Sequence, residues 1–119
     1  MHDRWRGVII SESLEEPSLI DDFEVFKAEI SKKDLDLGGG KQGRWHLYYV
    51  HAIDSQINSL LRQVKPGWYC HFWRENSLVV VFSGKRFEML TNDKSTWRDA
   101  VEYGQSIGIP IEELDFPTE

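Results

Sequence analysis

The chain has 119 residues, 40% of them hydrophobic, with a net charge of −6 and a single cysteine. That length makes one domain able to bury roughly two-thirds of its unfolded surface, and one cysteine excludes an internal disulfide and a cysteine-based metal site. The longest apolar run is the five residues Leu78–Phe82, far below the ~20 needed to span a bilayer. No signal peptide is visible around Asp3, Arg4 and Arg6, so a cytoplasmic protein without membrane contact is expected.

In chain order, Arg6 to Ser11 reads as a first strand, with Val8, Ile9 and Ile10 apolar. The segment Glu12–Asp22 is polar around Pro17, with a short helical turn expected from Ser18. Phe23 to Ile30 alternates imperfectly and reads as a strand with Phe26, Ala28 and Ile30 on one side. Lys32 to Gly43 holds Gly38–Gly40 and then Gly43, a flexible loop. Gly38 and Gly43 have the separation of a phosphate-binding loop. Arg44 and Trp45 then stand where Lys and Ser or Thr are required, which rejects that reading.

Arg44 to Ala52 is a strand with Trp45, Leu47 and Tyr49 on one face and His46, Tyr48 and Val50 on the other. Asp54 is placed to cap a helix whose stripe is Ile53, Ile57, Leu60, Leu61 and Val64. Pro66-Gly67 ends it. Trp68 to Glu75 follows as a strand with Trp68, Cys70 and Phe72 on one side and Tyr69, His71 and Trp73 on the other. Neither side is polar.

Asn76-Ser77 and Gly84-Lys85 are the expected hairpin turns. Between them Leu78–Phe82 has the unbroken apolar pattern of a strand buried on both faces. Arg86 to Leu90 reads as a half-exposed edge strand. A second helix is capped by Ser95 or Thr96 and buries Trp97, Ala100, Val101 and Gly104. It stops at Gly108 before Pro110. Gly104 within the helix permits a close approach by a neighbour, and the acidic tail carries Ile109, Ile111, Leu114 and Phe116 as anchors.

The order β-β-β-α-β-β-β-α predicts an α+β fold: a mainly antiparallel sheet of five to six strands with two helices packed on one face. The doubly apolar middle strands then need cover on the other face. The tail, the long loop, a second chain or a ligand would have to supply it.

The pattern Gly67-Trp68-Tyr69, His71-Phe72-Trp73, Val80-Val81-Phe82, Gly84-Lys85, Phe87, Thr96-Trp97, Tyr103-Gly104, Gly108-Ile109-Pro110 and Leu114-Asp115-Phe116 resembles a small family of uncharacterised prokaryotic domain proteins. Gly7 to Ser13 extends the likeness over most of the chain. The resemblance implies a free-standing domain and brings no activity, cofactor or functional residue with it.

Charge is unevenly spread. Residues 41–98 carry nine bases, four acids and ten of the 15 aromatics, between acidic ends. Such a block suits an anionic ligand or nucleic acid, but folding back of the acidic ends explains it more simply. The net charge and the missing RNA-recognition signature argue against nucleic acid. His46 and His51, five apart on one strand, face opposite ways and cannot share a metal. No metal or cofactor spacing is found. Cys70 and His71 also point apart, which leaves Cys70 a buried, inert thiol. A phosphate on Lys94-Ser95-Thr96 is opposed by Asp93.

The remaining constellation is Tyr69, His71 and Trp73, joined by Tyr48 and His46 if strand parity agrees. It reads as a second core layer, a homodimer interface, or a cleft for a small planar or anionic ligand. The function expected is a non-catalytic ligand- or partner-binding module using this aromatic face, as a homodimer. The alternative is a small acid–base enzyme with His46 or His71 as base, assisted by Glu75 or Arg86.

Overall fold

The computed structural model describes residues 4–30 and 45–116. Six strands form one antiparallel sheet: β1 Trp5–Ile10, β2 Glu24–Ile30, β3 His46–Ala52, β4 Tyr69–Arg74, β5 Ser77–Phe82 and β6 Lys85–Leu90. Their spatial order is β2-β3-β1-β4-β5-β6. Two helices, α1 Asp54–Ser59 and α2 Arg98–Ser106, complete the α+β fold with several 3₁₀ turns. The expected glycine-rich loop lies outside the described residues.

The helices do not share a face. Ile57 and Leu60, from α1 and the 3₁₀ turn after it, pack with Ile9, Val50, Cys70, Phe72, Val79 and Val81. Trp97, Ala100, Leu114 and Phe116, from the α2 region and the tail, pack with Trp73, Leu78, Val80 and Phe82. Residues 78–82 thus alternate between two cores, as period-2 side chains must. The apolar run on β5 forces this: one helix per face buries both sets, whereas two helices on one face would leave Leu78, Val80 and Phe82 in water. At about 25 cal/mol per Å² of apolar surface, that exposure costs several kcal/mol.

Turn positions also differ from expectation. Arg74 pairs with Ser77 and Phe82 with Lys85, so the two-residue turns are Glu75-Asn76 and Ser83-Gly84. Glu75 takes φ 56° and Gly84 φ 76°. Helix α1 begins one residue earlier than a cap at Asp54 requires. The Ile53 N–H donates to Gln56 Oε1 at 2.9 Å, and Asp54 is left to face Arg86. Ser95 and Thr96 do not cap α2: Asp93 caps the 3₁₀ turn Lys94–Trp97 that leads into it, accepting from the Ser95 N–H at 3.1 Å, and α2 itself follows Trp97 without a side-chain cap.

Two glycines are needed for space. A Cβ on Gly7 would lie 2.0 Å from the Phe72 ring, its cross-strand partner. A Cβ on Gly104 would lie 2.6 Å from Leu114 Cδ2, so the close approach expected at Gly104 is made by the tail. No helix among the described residues is long and apolar enough to cross a membrane.

Gly7→Ala should lower the unfolding free energy by about 1–3 kcal/mol through overpacking. The double variant with Phe72→Leu should lose less than the sum of the single variants, as coupled neighbours do. Urea melts of the four proteins measure this, and strict additivity would rule out the Phe72 contact as the cause.

Candidate functional site

Strand pairing decides which of the expected site residues can meet. Val8 on β1 lies opposite Tyr49 on one side and His71 on the other. Tyr49 therefore shares the face of Tyr69, His71 and Trp73, while Tyr48 and His46 lie on the opposite one. Strand β1 also separates β3 from β4. The five residues His46, Tyr48, Tyr69, His71 and Trp73 do not form one site.

Tyr69, His71 and Trp73 are sealed from above by the C-terminal segment. His71 and Trp73 are each 6% exposed, and their rings stack with centroids 5.4 Å apart. Phe116 meets Tyr69 edge-on at 5.4 Å, sits 6.1 Å from His71 and leans on Trp97 at 5.3 Å. The Tyr69 hydroxyl donates to the Glu113 carbonyl. Burial, with Glu113 and Asp115 nearby, pushes its pKa upward. The tail thus closes a second core layer over these residues.

Across the sheet, Tyr48 is partly buried against the α1-side core. His46 stands at its margin, where Glu12 Oε2 lies 2.5 Å from His46 Nδ1 and Glu12 Oε1 accepts the His46 main-chain N–H at 2.9 Å. Burial opposes the Glu12 charge, but the bonds from His46 outweigh it and hold this carboxyl below its ordinary value.

The proposed assistants are elsewhere. Glu75 occupies a hairpin turn. Arg86 reaches α1, donating to Asn58 Oδ1 at 2.7 Å and pairing with Asp54 at 3.4 Å and Glu88 at 3.1 Å. It lies four strands from β3, about 19 Å at the usual strand spacing. His46, His71, Glu75 and Arg86 therefore do not converge, and the acid–base arrangement is not built. Cys70 is fully buried and its thiol pKa is raised by that burial, which removes it as a nucleophile at neutral pH.

The half of the sheet that α2 and the tail leave uncovered carries another aromatic group. On β1, β3 and β2, the face shared with His71 presents Arg6, Leu47, Tyr49, His51 and Phe26, none of them buried, beside Val8, which packs partly against the α2-side core. The Phe26 ring lies 4.6 Å from His51 and 6.3 Å from Tyr49. Arg6 stands 5.8 Å over Phe26 and Lys27 4.8 Å over Tyr49. Glu29 pairs with Lys27 at 3.2 Å, and Glu24 with Arg4.

Phe26 reaches this face through a bulge. The register shifts between Val25 and Lys27, so Phe26 and Lys27 both face this side while Ala28 and Ile30 turn to the other. This corrects the expectation that Phe26, Ala28 and Ile30 align. Sequence reasoning passed over Phe26, Tyr49 and His51 because a bulge has no fixed residue signature. The irregular alternation of Phe23–Ile30 was its only trace.

The chain matches no family model, no curated protein and no solved structure.

The lowered Glu12 pKa gives a signed pH dependence. A depressed carboxyl contributes stability above its unfolded value and loses it as pH falls through the folded one. Glu12→Gln should therefore melt below the wild type at neutral pH, and the gap should close as pH falls below the ordinary carboxylate range. A gap that persists unchanged in acid would contradict the His46–Glu12 assignment.

Proposed function

We propose that the protein is a partner-binding module whose contact surface is the aromatic half-face of β1, β3 and β2. The observation behind this reading is the grouping of Phe26, Tyr49 and His51 on one face of β2 and β3, where the opposite face of β3 is packed by the protein's own core through Val50 and Ala52. Aromatics flanked by Arg are the residue types enriched where proteins meet. The ligand-cleft version of the expectation has less support, because this surface is a sheet face and not an enclosed cavity.

Charge decides the class of partner. Arg4, Arg6 and Lys27 stand among these residues, but Glu24 and Glu29 stand beside them, ion-paired to Arg4 and Lys27. A single-stranded nucleic acid needs a continuous basic track beneath its stacked bases. Interleaved carboxylates break such a track. They suit a protein surface of mixed charge.

A protein partner isolated with the full chain and then titrated in pure form should bind at least about tenfold more weakly to Phe26→Asp and to Tyr49→Ala, the loss expected of a central aromatic anchor. Ile111→Asp, at an exposed position on the tail, should leave affinity unchanged. Equal affinity for all four proteins would refute the assignment of this face.

A further inference from the structure

We propose that two copies of the chain join through the outer edge of β2, in the antiparallel register that sets Ala28 opposite Ala28 of the second copy. β2 is the terminal strand of the sheet, and all seven of its residues are exposed. Its outward N–H and C=O groups form a template for another strand. Val25, Phe26 and Ile30 remain 40%, 41% and 52% exposed along it. The other terminal strand is less open at its end: the Leu90 N–H donates to Thr96 Oγ1 at 2.9 Å, and Leu90 bridges to Asp93.

The side chains of β2 select the register. A symmetric antiparallel pair keeps each face continuous only if it is centred on a residue, so that residues of like parity stand opposite. Centring on Lys27 or on Glu29 would set like charges face to face, which destabilises a strand pair. Centring on Ala28 sets Lys27 opposite Glu29 of the second copy, twice by symmetry. The Lys27–Glu29 ion pair already present within one chain then becomes one side of a square of alternating charges. Lysine and a bulge are the usual protections of an edge. Here the neighbouring glutamate turns that protection into selection of one register, and the regular stretch Lys27–Ile30 beyond the bulge carries the pairing.

The two-fold axis stands perpendicular to the sheet, so the uncovered faces of both copies lie side by side and stay free for a partner. The pairing uses main-chain groups at the edge and does not rest on the reading of the face. So short a paired stretch buries less than the ~1,600 Å² of a standard interface, so association is weak and concentration-dependent.

Sedimentation equilibrium of the full chain from about 10 μM to about 1 mM, the range suited to a small interface, should show mass rising toward a dimer. Lys27→Glu and Glu29→Lys should each weaken it about tenfold by reversing both cross-strand pairs, and the double exchange should restore it. Ala28→Cys should oxidise to a disulfide-linked dimer. Val25→Cys should not, because in this register the two Val25 positions are offset by about 20 Å along the strands.

Ala28 faces away from the aromatic surface, so its cross-link separates edge pairing from face-to-face association. A chain monomeric at the highest concentration would overturn the proposal. A dimer indifferent to both charge reversals would do so too, as would equal cross-linking at positions 25 and 28.

Discussion

Leu114 seated against the bare Cα of Gly104 is the contact on which the architecture turns. It brings the C-terminal segment close enough to α2 for Phe116 to reach Tyr69, His71 and Trp97. With that segment in place, the middle of the sheet is buried on both sides by its own chain. Without it, Trp73 and His71 would stand open beside a single helix. A side chain at position 104 would have to displace Leu114, and Gly in a helix interior costs about 1 kcal/mol against Ala. The packing it admits offsets that cost, since burying one Leu or Phe side chain contributes about 1.5–3 kcal/mol.

The same closure divides the sheet unequally. α2 and the tail cover β4, β5 and β6, while the α1 side is packed from β3 across to β5. What remains among the described residues is β2, exposed along its whole length, and the face of β1 and β3 on which Tyr49 and His51 cluster with Phe26, Arg6 and Lys27. A surface of this kind has two neighbours in reach: a partner on its face, and another strand at its edge. These use different groups, side-chain rings for one and main-chain donors and acceptors for the other, so one molecule can support both.

Much of the fold was legible in the residues. The five apolar positions 78–82 read directly as a strand buried on both faces, Ile57 and Leu60 as a helix stripe, Gly108 as a helix stop and Gly104 as a point of close approach. Period and turn chemistry are local, and local signals survive in a single sequence. Strand order is not local. His46 and Tyr48 could join Tyr69, His71 and Trp73 only if β3 neighboured β4 with matching parity, and the insertion of β1 between them decided otherwise. The bulge at Phe26 reversed a second parity, and that residue moved to the open face. The assumption that both helices share one face failed for an energetic reason, because Leu78, Val80 and Phe82 needed the second helix more than the first core did.

The central claim is that the aromatic layer of β4 is sealed while, among the described residues, that of β2 and β3 is more exposed. Photochemically induced nuclear polarisation reports it directly, because only dye-accessible Tyr, Trp and His rings are polarised. The account predicts enhanced signals from Tyr49 and His51 and silence from His71 and Trp73. Strong polarisation of His71 and Trp73, with Tyr49 and His51 dark, would contradict it.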